Sequence, residues 1–222
     1  MNLVFLSGPQ GAGKTTLINL LAGPEIISPE LETKTLKFDI DPKKRIALKI
    51  CQRSLENFEY LQIARQNPEK VILGNRCIYD QYAFNEVFVK RGWIKEEEKE
   101  RYDENSRLFY LPELHAPRAI VLNPDFNIVT QHLEKRWQTE GVKWREQDSE
   151  YIWLACEAYK SFRDREEILY IDHRIDLKDK TEKDRITDWI LQVKKRFFVI
   201  IIIRKTKIVK TLYKHLCIVL RL

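Results

Sequence analysis

Short apolar segments alternate with longer amphipathic stretches along the 222-residue chain. Short apolar segments bounded by turn-forming residues are typical of buried parallel strands. Strands are predicted at residues 3–6, 25–27, 71–73, 119–122 and 168–171. Helices are predicted from residue 14, over 43–66, 79–90 and 95–110, from residue 125, and over 148–162 and 181–196. This alternation predicts an α/β fold with a five-stranded parallel sheet between two helical layers.

The helix predicted over residues 43–66 is the longest. Asp41 is its predicted N-cap and Pro42 occupies the first helical position, where proline costs no hydrogen bond. Asn67-Pro68 ends it. Its apolar residues predict a mostly inward face made of Ile46, Ile50, Leu55, Phe58, Leu61 and Ile63.

The strongest functional signal lies between the first strand and the first helix. Residues 8–15 read Gly-Pro-Gln-Gly-Ala-Gly-Lys-Thr, the phosphate-binding P-loop pattern G-x-x-x-x-G-K-[ST] in its required strand–turn–helix context. Lys14 is predicted to reach the β- and γ-phosphates, and the Thr15 hydroxyl is a predicted Mg²⁺ ligand. The residues predicted to bind the nucleotide are Gly8, Gly11, Ala12, Gly13, Lys14, Thr15 and Thr16.

Charge and cysteine usage exclude several other classes. The net charge is +6, but residues 197–222 carry six basic residues and no acidic one, so residues 1–196 are neutral overall. A nucleic-acid footprint is therefore not expected on residues 1–196. No two of the four cysteines have C-x-x-C spacing, and the start of the chain has no signal-peptide pattern. We expect reduced thiols, no zinc site and a cytoplasmic location.

Residues 197–222 form an apolar and basic C-terminal extension. Seven apolar residues, 197–203, precede the basic stretch and are too few to span a bilayer. Three interpretations stay open: an additional edge strand, weak contact with a membrane surface, and an extension without function.

Several segments resemble the deoxynucleoside kinases and thymidylate kinases of the P-loop kinase superfamily. Asn75-Arg76-Cys77, at the end of the third strand, is similar to their Asp-Arg or Glu-Arg-Ser motif. Other similar segments are 41–52, 78–84, 120–125, 132–136, 144–146 and 150–162. The resemblance covers roughly residues 1–196 and implies a P-loop kinase domain with a helical lid at about 134–146.

The resemblance also implies roles for individual residues. Glu30 would accept the proton of a 5′-hydroxyl, with Glu32 as its rival, and Arg76 would align the acceptor oxygen. Arg136 and Arg145 would close over the phosphates. Ordinary solvated charges are the alternative for the acidic and lid residues. Gln52 and Tyr82 are candidates for contacting a base, with helix packing as an equal alternative.

One position departs from the family pattern. Asn75 stands where these kinases have Asp or Glu, and a neutral amide is a weaker Mg²⁺ ligand. Asp80 or water would then complete the magnesium site.

Taken together, these features predict an ATP- and Mg²⁺-dependent kinase whose acceptor is a deoxynucleoside 5′-hydroxyl. A nucleoside monophosphate is the alternative acceptor, and it would need further cations in the acceptor pocket. Arg45 and Arg53 lie on the right helix, which keeps that choice open. A regulatory P-loop ATPase without a small-molecule acceptor is the alternative of another class. The N-K-x-D motif of GTPases is absent from the sequence. Both a monomer and a homodimer remain open.

Overall fold

The computed structural model describes residues 1–31, 41–176 and 179–192. All five strands of its single sheet run parallel, in the spatial order β2-β3-β1-β4-β5. The strands are β1 (Leu3–Ser7), β2 (Ile26–Ile27), β3 (Val71–Asn75), β4 (Ala119–Leu122) and β5 (Ile168–Ile171). Every residue of β1 and β4 is buried, as expected where helices cover both faces of a parallel sheet.

Helices cover both faces of the sheet. They are α1 (Lys14–Leu21), α2 (Pro42–Gln66), α3 (Ile78–Lys90), α4 (Glu96–Phe109), α5 (Phe126–Glu140), α6 (Ser149–Tyr159) and α7 (180–192). On one face, α2, α3, α5 and α6 contribute to a core that includes Phe5, Ile72 and Val121. On the other face, α1 and α7 pack on residues such as Val4 and Leu73. The predicted three-layer fold with five parallel strands is confirmed.

Most element boundaries agree with the sequence patterns to within two residues. The third strand, predicted over residues 71–73, continues to Asn75, and the predicted helix 148–162 ends its α-helical part at Tyr159 before a short 3₁₀ turn, Lys160–Phe162. Glu32, residues 193–196 and the extension 197–222 lie outside the described residues. Within the described part, Cys51, Cys77 and Cys156 are free thiols, and no helix is long and apolar enough to span a membrane.

The prediction for the inward face of α2 was partly wrong. Leu55 and Phe58 are 69% and 45% exposed, whereas the polar residues Ser54 and Asn57 are buried. The helical repeat places 46, 50, 54, 57 and 61 on one face, and this face points inward. Asn57 is accommodated there because its Nδ2 donates a hydrogen bond to the Arg76 carbonyl at 3.0 Å.

Candidate active site

The P-loop connects β1 to α1 and has the backbone that its glycines permit. Gly8, Gly11 and Gly13 have φ values of 138°, 80° and 92°, in the region that favours glycine. A Cβ at Gly8 would lie 2.1 Å from the Leu122 carbonyl oxygen, because the loop passes close to the end of β4. Gly13 is the N-cap of α1, so the positive end of that helix faces the loop.

The Lys14 side chain is held by the backbone of the P-loop itself. Its Nζ donates hydrogen bonds to the Gly8 and Pro9 carbonyl oxygens at 2.8 and 2.7 Å. Burial lowers the Lys14 pKa well below its usual value, the Arg76 charge lowers it further, and Asp80 opposes both. An anion next to this ammonium would therefore stabilise its charged form.

A cavity of about 720 Å³ opens above the P-loop. It is bounded by the loop itself, by the end of β3, by α5 with the turn after it, and by the segment after β5. Its cationic lining residues are Lys14, Arg76, Lys135, Arg136, Lys143 and Arg174, against two acidic ones, Glu140 and Glu146. This excess of positive charge suits a polyphosphate.

Arg76 lies immediately after β3 in a left-handed conformation with φ 67°. Its Nη1 donates to Asp80 Oδ1 at 2.7 Å and to the Gly8 carbonyl oxygen at 3.2 Å. Burial alone would lower the Arg76 pKa, but Asp80 and Tyr159 outweigh it and the pKa is raised. Positive φ is uncommon for a non-glycine residue, and the buried Asp80 carboxylate helps to hold Arg76 in this conformation.

Asp80 is fully occupied by hydrogen-bond donors. Oδ1 accepts from Arg76 and, at 2.6 Å, from the Tyr159 hydroxyl. Oδ2 accepts from the Ser7 hydroxyl at 2.6 Å and from the Cys77 backbone N–H at 2.8 Å. The alternative that Asp80 replaces the missing Asp or Glu as a magnesium ligand is therefore not supported, because its oxygens are already engaged.

The predicted lid, residues 134–146, forms the C-terminal part of α5 and most of the turn that follows it. Just before the lid, His132 in α5 contacts the Gly11 carbonyl oxygen through Nδ1 at 2.9 Å, which joins α5 to the P-loop. Arg136 lines the phosphate cavity and pairs with the buried carboxylate of Glu146. The Arg136 Nε is buried and has no hydrogen-bond partner among the described residues. Lys14, Arg76 and Arg136 are thus brought together.

Arg145 and Glu30 are placed elsewhere. Arg145 is 43% exposed, and its guanidinium lies 5.2 Å from the Trp93 ring and 4.0 Å from Asp148 Oδ2. Glu30 follows β2 and is exposed. In the described part of the chain, neither residue lines the P-loop cavity or a second cavity that adjoins it.

The residues at the P-loop are suited to binding ATP. They are also suited to a magnesium ion that takes few of its ligands from the protein. Thr15 lines the cavity at the start of α1, and Asn75 lines it from the end of β3. Both offer neutral oxygens, and the described residues contain no cluster of three or more His, Cys, Asp and Glu side chains placed to hold a metal. Mg²⁺ usually keeps several waters and binds substrate phosphates, so Thr15 and the nucleotide would supply most of its ligands.

A second cavity of about 160 Å³ adjoins the first, and Gln10 and Arg76 line both. Its wall is aromatic on one side, where Phe84, Phe88, Trp144 and Tyr151 meet, and basic on the side of α2. Gln81 also lines this cavity, and its Nε2 donates to Asn85 Oδ1 at 2.7 Å. Aromatic faces and a carboxamide can contact a nucleobase by stacking and by hydrogen bonding.

Several of these residues were missed from the sequence. Gln81 and Phe84 belong to the segment that resembles the kinases, and their i, i+3 spacing on α3 is the signal that could have identified them. Gln52 and Tyr82, the sequence candidates for contacting a base, do not line this cavity. Gln52 hydrogen-bonds Glu56, and Tyr82 accepts from Arg107.

Comparisons with known proteins are consistent with this geometry. No family model and no curated protein matches the chain. Among solved structures, deoxyadenosine kinase from M. mycoides with bound dATP superposes with a TM-score of 0.61 at 19% identity, covering 85% of this chain and 98% of that one. The chain has the fold of the P-loop nucleoside kinases.

Two further structures of deoxyadenosine kinase from M. mycoides show the same kinase fold. The one with products dCMP and a flexible dCDP has a TM-score of 0.60 at 19% identity, covering 86% of this chain and 99% of that one. The one with bound dCTP has a TM-score of 0.54 at 17% identity, with the same coverage. At these identities the likeness shows the fold alone.

Proposed function

We propose that the chain transfers the terminal phosphoryl group of ATP, with Mg²⁺, to a nucleoside-type acceptor bound in the second cavity. The observation that carries this proposal is the position of Arg76, which lines the P-loop cavity and the second cavity together. A guanidinium at such a junction can contact the transferred group and the acceptor oxygen at the same time.

The P-loop side holds and activates the donor. The loop N–H groups and the start of α1 bind the β- and γ-phosphates, and Lys14 moves from the Gly8 and Pro9 carbonyl oxygens to the phosphates. Arg136 stabilises the charge that develops on the transferring group. The Thr15 hydroxyl would hold Mg²⁺, which would neutralise part of the phosphate charge. Catalysis of this kind consists mainly of positioning and charge stabilisation.

The second cavity supports a nucleoside moiety. Its aromatic wall offers faces for a base, and the Gln81 carboxamide has both donors and an acceptor, as base edges do. The deoxynucleoside expected from the sequence and its monophosphate alternative share this recognition, and both use the same donor site. Glu30 keeps its proposed role as general base only if the loop after β2 brings it to the acceptor.

The test is a transfer assay with the full chain, ATP·Mg²⁺ and a panel of deoxynucleosides, ribonucleosides and their monophosphates. We expect one acceptor class to be phosphorylated with one ADP formed per product, and Lys14→Ala to abolish the reaction. ATP hydrolysis at the same rate with and without every acceptor would instead support a regulatory ATPase.

A further inference from the structure

Three basic residues occupy one face of α2 at four-residue intervals. Arg45, Lys49 and Arg53 all line the second cavity, where Arg76 adds a fourth positive charge. Residues four apart on a helix are neighbours, so each cation repels the next. An anion in the cavity would reduce this repulsion, whereas a neutral nucleoside would not.

Lys49 shows the repulsion most clearly. Its Nζ donates to the neutral Gln52 Oε1 at 2.8 Å, and among the described residues no carboxylate lies within salt-bridge distance of it. Burial, followed by the charges of Arg53 and Arg45, lowers the Lys49 pKa to about 8. A half-buried ammonium between two arginines is costly in the absence of an anionic partner.

The two arginines extend this row of cations along the cavity. Arg53 lies at the junction with the P-loop cavity, because its Nη1 donates to the Asn75 carbonyl oxygen at 3.3 Å, and it is neutralised locally by Glu56 at 2.5 Å. Arg45 lies at the aromatic end, with its guanidinium 4.0 Å from the Trp144 ring centroid. Lys49 is between them.

The described carboxylates around the cavity are already held by hydrogen-bond donors. A hydroxyl acceptor needs a base, usually a carboxylate, to take its proton. In the described part of the chain, Asp80 is the carboxylate that lines this cavity, and its two oxygens already accept four hydrogen bonds. Glu56, the neighbouring carboxylate, is held by Arg53 and Gln52. A phosphate acceptor needs no such base, because it is already ionised at neutral pH.

We propose that the acceptor enters with a 5′-phosphate already attached, and that Lys49, between Arg45 and Arg53, holds this phosphate next to Arg76. The acceptor class is therefore a nucleoside monophosphate. This inference rests on the proposed function, since it assigns the second cavity to the acceptor of the same kinase.

The transfer is balanced in atoms and charge. An oxygen of the acceptor phosphate forms a bond to the γ-phosphorus of ATP, and the bond from that phosphorus to the β–γ bridging oxygen breaks. The products are a nucleoside diphosphate and ADP. The acceptor dianion and the ATP tetra-anion give two trianions, so no proton is released.

Binding without ATP tests the phosphate site separately from catalysis. Calorimetry with the full chain would compare dAMP, dCMP, dGMP and dTMP with the corresponding deoxynucleosides. We expect one monophosphate to bind roughly 10- to 100-fold tighter than its nucleoside, the difference that one charge-assisted hydrogen bond makes. Lys49→Met and Arg45→Ala should remove this difference. Lys44→Ala, an exposed cation on the same helix that does not line the cavity, should retain it.

Turnover with ATP·Mg²⁺ then separates the two proposals. If the monophosphate is phosphorylated and Lys49→Met raises its KM, both the kinase function and the monophosphate acceptor are supported. Nucleosides phosphorylated at least as efficiently as monophosphates, without effect of Lys49→Met, would overturn the monophosphate inference and leave the kinase. Binding that depends on Lys49 without any transfer would overturn the kinase and keep the phosphate site. Equal affinities for nucleosides and monophosphates would overturn the proposed phosphate site at Lys49.

Discussion

Arg76 donates a hydrogen bond to Asp80 at 2.7 Å, and this buried ion pair fixes a guanidinium that lines both cavities. The pair is tied to β1 through Ser7 and to α6 through Tyr159. Burial alone would raise the Asp80 pKa, but the charges of Arg76 and Lys14 outweigh it, and the pKa is lowered. Asp80 therefore acts as a positioning residue that keeps Arg76 oriented.

Asp80→Asn should destabilise the chain and impair transfer together. Removing one partner of a buried ion pair leaves an uncompensated charge and costs roughly 3–5 kcal/mol in the free energy of unfolding. Because the Asp80 pKa is lowered on folding, its contribution is present above the ordinary carboxyl pKa and is lost as pH falls through the folded value. The free energy of unfolding, measured in urea, should therefore differ between Asp80→Asn and the unaltered chain by less at acidic pH than at neutral pH.

The control is Glu86→Gln on the same helix, which removes two long, partly exposed ion pairs, with Lys90 and with Lys99. It should change the free energy of unfolding by less than about 0.5 kcal/mol. If Asp80→Asn behaved like this control and retained full kcat, the positioning role of Asp80 would be wrong.

The P-loop and the sheet were predictable because their signals are local. The glycine pattern of residues 8–15 and the apolar strands depend on neighbours in sequence, and the structure reproduces them. The inward face of α2 was not predictable in the same way. Asn57 is accommodated in the interior by its hydrogen bond to the Arg76 carbonyl oxygen just after β3, a tertiary contact that hydropathy along α2 does not contain.

The site residues show the same contrast between local signals and tertiary contacts. The P-loop with Lys14 follows β1 and Arg76 follows β3, so the parallel sheet places both at the carboxyl ends of its strands. Which lid arginine faces the phosphates depends instead on the turn after α5, where Arg145 adopts φ 57° and packs near Trp93. The sequence pattern treats Arg136 and Arg145 alike, and only the folded turn distinguishes them.

Lys14→Ala should abolish transfer without reducing thermal stability. The ammonium is buried and its pKa is lowered by that burial, so removing it relieves a desolvation cost in the ligand-free protein. We expect kcat to fall by at least roughly 10²-fold with Tm unchanged or higher. Steady-state kinetics and calorimetric unfolding measure the two effects, and Lys44→Ala is the matched control. Near-normal turnover in a folded Lys14→Ala protein would show that residues 8–15 do not act as the phosphate-binding loop.

The two lid arginines should differ in their effect on turnover. Arg136→Ala removes a cation from the phosphate cavity and should lower kcat by roughly 10²–10³-fold, as for other charges that stabilise a transferring phosphoryl group. Arg145→Ala should change kcat by less than about threefold, because its side chain packs near Trp93. Equal losses in both variants would show that lid closure brings Arg145 to the phosphates, which hydrogen exchange of residues 134–146 with a bisubstrate analogue would detect.

Glu30→Gln separates a hydroxyl acceptor from a phosphate acceptor. If Glu30 takes the proton of a 5′-hydroxyl, the change should lower kcat by roughly 10²–10⁴-fold with nucleosides. With a nucleoside monophosphate as acceptor, we expect kcat within about threefold of the unaltered chain, since no proton has to be removed. Single-turnover rates with each acceptor at saturating ATP·Mg²⁺ give the comparison.

The pH dependence of monophosphate use should follow Lys49. Its pKa is lowered to about 8 by burial and by Arg53 and Arg45, with Arg76 adding to the decrease and Glu56 opposing it. Below that pH the ammonium is charged and can bind the acceptor phosphate, and above it the charge is lost. The kcat/KM for the acceptor should therefore fall as pH rises through about 8, and also as pH falls below about 6, where the phosphate takes up a second proton. Saturating ATP·Mg²⁺ keeps Lys14 charged during the measurement. Lys49→Arg should remove the alkaline decrease, whereas an unchanged profile in that variant would assign the decrease to another group.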